Sequence, residues 1–211
     1  MSAGMTQPAR SSGSPATTPR GTPVSTVLGR RLVVGIGELA VTAGRLDVIV
    51  THALGSCVAV CLWDPVAGVA GLLHFLLPDS RINPARAEIQ PGTFADTGIP
   101  LLLSYAAALG AQPSRMIVRL IGGAELAGGG GPFNVGPKNV AAARERLTAH
   151  GLLVAREVVG GSVARTVHLD LTQGRIRVTS GTDLLVELFV EPDARRTEVK
   201  GTGSGRPPSQ L

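Results

Sequence analysis

The stretch Thr51-His-Ala-Leu-Gly-Ser-Cys57-Val-Ala-Val-Cys61-Leu-Trp-Asp64-Pro-Val-Ala-Gly68-Val-Ala-Gly-Leu-Leu-His74-Phe-Leu-Leu-Pro78 decides the fold. Two apolar, β-branched runs flank Asp64-Pro65-Val66-Ala67-Gly68, which is turn chemistry. The pattern predicts a β-hairpin. With Trp63 opposite Gly68, the same register sets Leu62 against Val69, Val60 against Gly71 and Cys57 against His74. Directly opposed residues share a face, with Cβ atoms about 4.5–5.5 Å apart. The expected hairpin therefore places a thiol beside an imidazole.

Working outward, further short β-branched runs are broken by Gly, Pro or Asp. Strands are expected over Arg31–Val34, Asp47–Thr51, Ser56–Trp63, Val69–Leu76, Met116–Ile121, Leu152–Val159, Thr166–Leu171, Arg175–Thr179 and Leu184–Val190. Two helices are expected. Ile99–Leu109 has Asp96 or Thr97 as cap, Pro100 in its first turn and Gly110 past its end. Val140–His150 lies between Gly136-Pro137 and Gly151. Many strands and few helices predict an α+β fold, a layered α/β sandwich of mixed β-sheets.

The chain has 211 residues, 44% hydrophobic and 17% charged, which suits one domain with tails rather than two large domains. Residues 1–28 are a Ser/Thr/Pro/Arg-rich mixture and are expected to be disordered. Residues 193–211 read as a flexible basic tail, leaving 29–192 as the domain. The net charge of +5 comes from the ends: residues 1–30 carry +3 and residues 193–211 carry +2. The remaining 13 basic and 13 acidic residues cancel, so no phosphate-tracking face and no nucleic-acid partner are expected. The first residues hold no apolar segment of secretory type, and the apolar run Thr97–Gln112 is short for a bilayer. A cytoplasmic protein without membrane insertion is expected.

A thiol is mostly protonated at neutral pH, and a neighbouring imidazole can take its proton. Cys57 and His74 are the candidate nucleophile and general base. Thr51 closes the preceding β-run, and its hydroxyl can accept from the second imidazole nitrogen. Backbone N–H groups at Ser56 and Cys57 are oxyanion candidates. Cys61 is deeper in the strand and reads as core. His52 is a rival base, but its odd offset from Thr51 turns it to the other face, and His168 reads as structural. Two ligand-type side chains fall short of a zinc set, so neither metal nor cofactor is expected. Cys57-x3-Cys61 lacks redox Cys-x-x-Cys spacing. Gly35-Ile-Gly37-Glu-Leu-Ala40 matches a dinucleotide pattern weakly and reads as a turn between strands. Gly128–Gly131 lacks the Gly-Lys-Ser/Thr of a phosphate loop and reads as loop.

The chain resembles the CheD family of chemoreceptor glutamine deamidases. The blocks that carry the resemblance are Val34-Gly-Ile-Gly-Glu38, Thr51, Leu54-Gly-Ser-Cys57-Val-Ala-Val-Cys61, Asp64-Pro65 and His74-Phe-Leu-Leu-Pro78. They continue with Phe94-Ala-Asp-Thr-Gly-Ile-Pro-Leu-Leu-Leu103, Gly122-Gly-Ala124, Val135-Gly-Pro-Lys-Asn139-Val140, Gly160-Gly161 and Arg165. Lys138 and Ala164 depart from the family's Arg and Gly, and Ala127–Pro132 is a local Gly-rich insert. The resemblance implies a cysteine hydrolase of a layered sandwich fold similar to deamidating bacterial toxins. It implies a triad of Cys57, His74 and Thr51 that converts glutamines of methyl-accepting chemotaxis receptors to glutamate, with methyl-ester hydrolysis as a related activity. A binding module that regulates a CheC-type phosphatase is the alternative the resemblance offers.

Overall fold

The computed structural model describes residues 29–125 and 134–189. The expected tails at 1–28 and 193–211, the Gly-rich 127–132 and the last expected strand residue, Val190, lie outside the described residues. Among the described residues, ten strands form two five-stranded sheets. The first sheet runs β1 (Arg31–Val33), β3 (Val48–Leu54), β8 (Arg165–Asp170), β9 (Arg175–Ser180) and β10 (Asp183–Phe189) in spatial order. The second runs β2 (Glu38–Thr42), β5 (Val69–Phe75), β4 (Val58–Asp64), β6 (Ile117–Gly122) and β7 (Val154–Val159). Each sheet has one parallel pair, β1–β3 and β6–β7, and is otherwise antiparallel, so both are mixed.

Strand alternation separates two cores. Ala59, Cys61, Ala70, Leu72 and Ile121 of the second sheet pack against Ile49, Leu54, Val167, Leu169 and Val178 of the first. The opposite face of the second sheet presents Val58, Val60, Leu62, Val69, Leu73, Phe75, Val118 and Leu120 to the helices. Those helices are α2 (Ala95–Ala108) and α3 (Val135–Ala149), which supply Ile99, Leu102, Ala106, Val140, Ala143 and Leu147. The α/β/β layering is the expected sandwich. Full burial of each large side chain contributes about 1.5–3 kcal/mol, so Phe75→Ala would cost roughly 3–5 kcal/mol.

Both helices begin earlier than the sequence suggested. Asp96 and Thr97 do not cap α2. The Asp96 carboxylate accepts from Ser80 N at 2.9 Å and Ser80 Oγ at 2.6 Å, and Thr97 Oγ1 donates to Pro91 O at 2.5 Å. These bonds sew the helix start to the preceding turns, and Pro100 falls inside the helix. Helix α3 starts at Val135 rather than Val140. Pro137 lies in the first turn, where its missing N–H has no intrahelical partner to lose. Strand β2 and the short helix α1 (Pro84–Ile89) were not expected. Gly35–Gly37 is a turn between β1 and β2, with Gly37 at φ +76°.

The hairpin register differs by two residues from the expected one. Trp63 pairs with Ala70, Ala59 with His74 and Asp64 with Val69. The cause is the turn. The buried Asp64 carboxylate accepts from Val66 N at 2.9 Å and Ala67 N at 3.1 Å, and Gly68 N donates to Asp64 O at 2.9 Å. Asp64 thus remains the last paired residue, and four residues make the turn. A two-residue slip preserves parity, so Cys57 and His74 stay on one face. They are diagonal rather than opposed.

Candidate active site

Thr51 lies on β3 of the first sheet and His74 on β5 of the second. Cys57 immediately precedes β4, where the chain crosses between the sheets. The crossing begins with a bulge: β3 pairs Thr51 with Val167 but Leu54 with Arg165, one residue out of step. Ala53 absorbs it at φ +57°, a left-handed conformation that costs a non-glycine residue energy. His52 faces away, exposed, and stacks edge-on to His168 at 6.2 Å. Cys61 sits in the inter-sheet core at 1% exposure, and burial pushes its thiol up to about 12.

Thr51 and His74 are in contact. Thr51 Oγ1 lies 2.7 Å from His74 Nδ1 and 2.7 Å from Val34 O. The hydroxyl has one proton, and a carbonyl can only accept, so Thr51 donates to Val34. It must then accept from Nδ1–H. This assigns the tautomer: the proton is on Nδ1 and the lone pair on Nε2. Nε2 is buried and has no hydrogen-bond partner. The Cys57 thiol is therefore not hydrogen-bonded to it.

The electrostatics agree with a neutral resting pair. Burial pushes the His74 imidazole down to about 4, with Glu38 opposing the shift. Burial also raises the Cys57 thiol, offset in part by its own backbone N–H. Both shifts favour the neutral thiol and the neutral imidazole.

The backbone around Cys57 is held at three consecutive carbonyls. Gly55 O accepts from Ala124 N at 2.8 Å, Ser56 O from Asn139 Nδ2 at 2.9 Å, and Cys57 O from Gly123 N at 2.7 Å. Gly122 must be glycine there: its φ is +117°, and a Cβ would come within 2.3 Å of Cys57 O. The Ser56 and Cys57 amides donate to no backbone carbonyl among the described residues. Among the described residues, no three His, Cys, Asp or Glu side chains cluster in a way that could hold a metal.

Sequence reasoning missed three participants. Val34 O orients Thr51, Gly123 N holds Cys57, and Asn139 reaches Ser56 from a helix 83 positions away. For Asn139 a signal existed. It interrupts the buried stripe Gly136, Val140, Ala143 and Leu147 of α3, and a polar residue on an apolar stripe needs partners.

The model of the family described as CheD chemotactic sensory transduction matches residues 76–180. A relative from Anaeromyxobacter dehalogenans, "Probable chemoreceptor glutamine deamidase CheD 2", is 49% identical over 150 residues, covering 71% of this chain and 94% of its own. "Probable chemoreceptor glutamine deamidase CheD 1" of Syntrophus aciditrophicus is 41% identical over 157 residues, covering 74% and 98%. The Solibacter usitatus "Probable chemoreceptor glutamine deamidase CheD" is 40% identical over 146 residues, covering 69% and 86%. Relatives this similar over nearly their whole length place the chain: it belongs to the CheD family.

Proposed function

We propose that this protein deamidates glutamine side chains of chemoreceptors, with Cys57 as nucleophile, His74 as general base and acid, and Thr51 as the residue that holds the imidazole. The observation that carries the reading is the Thr51–His74 bond, which leaves a bare Nε2 on the face that Cys57 shares. A core histidine with a merely structural role would have both nitrogens satisfied.

The chemistry follows from the protonation states. His74 Nε2 takes the proton from Cys57 Sγ as sulfur attacks the glutamine carboxamide carbon. The carbonyl π electrons move to oxygen, and the Ser56 and Cys57 amides receive that oxyanion. The tetrahedral adduct collapses to a thioester as the C–N bond breaks, and His74 delivers the proton so that nitrogen leaves as ammonia. Water, deprotonated by His74, then attacks the thioester. The C–S bond breaks, glutamate forms, and the thiol is restored. A glutamate methyl ester would follow the same path, with methanol as leaving group.

The reaction is assigned to the cytoplasm and to the receptors' cytoplasmic helices. None of the described helices is long and apolar enough to cross a membrane. A CheC-type phosphatase is a second proposed partner, and its binding at this site would compete with the receptor.

Mass spectrometry of a receptor cytoplasmic fragment tests the reading. Incubation with the wild type should convert specific glutamines to glutamate, and Cys57→Ala should not. Conversion by Cys57→Ala at the wild-type rate would remove Cys57 from the mechanism. No conversion by folded wild type across several receptor classes would end the deamidase reading.

A further inference from the structure

Asn139 is fully buried on α3 and spends both amide protons on the loops that carry the active-site residues. Nδ2 donates to Ser56 O at 2.9 Å and to Leu76 O at 2.8 Å. The first carbonyl belongs to the residue before Cys57. The second lies two residues after His74. One side chain thus ties together the two strands' active-site ends. Its Oδ1 is buried without a partner, so only the donor half of the amide is in use.

The bond to Ser56 has a directional consequence. A trans peptide is planar, and its C=O and N–H point to opposite sides. Fixing Ser56 O therefore fixes where the Cys57 N–H points. The neighbouring carbonyls, Gly55 O and Cys57 O, are held by the backbone amides of Ala124 and Gly123. The Ser56–Cys57 plane alone of the three is held by a side chain.

We propose that Asn139 is a positioning residue for the oxyanion hole: by gripping Ser56 O it aims the Cys57 amide at the oxygen of the tetrahedral adduct. The proposal rests on the deamidase reading above. It makes a prediction that a plain structural clip does not. Thioester formation needs an oxyanion donor, whereas alkylation of the thiol by iodoacetamide is a direct displacement and needs none. Loss of Asn139 should slow the first and spare the second.

The experiment uses the full chain, wild type, Asn139→Ala and Asn139→Asp, with a receptor cytoplasmic fragment as substrate. Deleting an oxyanion donor outright costs on the order of 10²–10³ in kcat, so loosening one should cost about 10- to 100-fold. KM should stay within about twofold, because the loss is confined to the transition state. The alkylation rate, mapped to Cys57 by peptide mass, should also stay within about twofold across pH, since it tracks the thiolate alone. Asn139→Asp keeps the shape with at most one donor and serves if Asn139→Ala does not fold. The proposal is overturned by an unchanged kcat, by alkylation that slows in parallel with kcat, or by failure of both variants to fold. An active wild type with an equally active Asn139→Ala strikes this proposal only. An inactive wild type strikes the deamidase reading as well.

Discussion

The two ends of one hairpin treat buried polar groups in opposite ways. At the turn end, Asp64 is fully buried and saturated. Its carboxylate accepts from Val66 N, Ala67 N, Gln112 N and the Arg115 guanidinium, the last at 2.8 Å. These donors hold its carboxyl well below the ordinary range, against the cost of burial. At the open end, His74 is equally buried, but Nε2 has no partner, and nearby Asn139 Oδ1 has none either. A saturated group contributes to stability and is inert. An unsaturated one is held at a cost and remains available for reaction. The hairpin is anchored at one end, and the proposed reactive pair sits at the other.

Breaking the reactive end should separate activity from folding. Cys57→Ala is expected to lower deamidation by at least about 10⁴-fold. Its unfolding free energy in urea should change by no more than about 1 kcal/mol. Parallel steady-state and denaturation measurements check both.

Breaking the anchored end should do the reverse. Asp64→Ala strands Arg115 and frees the turn, and is expected to cost about 3–5 kcal/mol in urea unfolding. Activity per folded molecule should stay near wild type. A kcat that collapses at full folding would show that the two ends are not separable.

Thr51→Val keeps the shape of the site and removes the acceptor for Nδ1–H. A buried donor left unpaired costs about 1–3 kcal/mol, and the tautomer is no longer fixed. The expected fall in kcat is about 10- to 100-fold, near the middle of that range after conversion. A kcat within threefold of wild type would remove Thr51 from the site.

Acid should distinguish the ends most finely. The folded pKa of His74 is depressed to about 4 from the ordinary 6.5. Between those values the unfolded chain binds a proton that the native state does not. Stability therefore falls as pH drops through this window, by at most about 1.4 kcal/mol per pH unit from this group. Asp64 also has a depressed pKa, so its contribution is present above the ordinary carboxylate value and is lost only in stronger acid. His74→Gln should flatten the window between pH 6.5 and 4 in a series of urea titrations. The acid limb of kcat/KM should likewise lie well below 6.5, since the free base persists to lower pH.

The face of each hairpin residue was readable in the sequence, and the register was not. Alternation has period two, so any reading with the right parity puts Cys57 with His74. The register depended on a carboxylate folding back on Val66 and Ala67, which lengthened the turn. The helix starts were hidden by Gly136-Pro137 and by Asp96, whose side chain serves Ser80 instead of its own helix. Asn139 was visible as a polar residue on an apolar stripe, but its partners Ser56 and Leu76 are 83 and 63 positions distant. Nothing local could name them.

The Thr51–His74 bond joins strands of different sheets. The two sheets are like facing leaves, each held together by its own ladder of backbone bonds. A slide of one leaf over the other could leave both ladders whole and still part the hydroxyl from the imidazole. On the proposed mechanism, catalysis therefore gauges the alignment of the leaves. Pressure or mild denaturant should silence the enzyme before it opens a single strand.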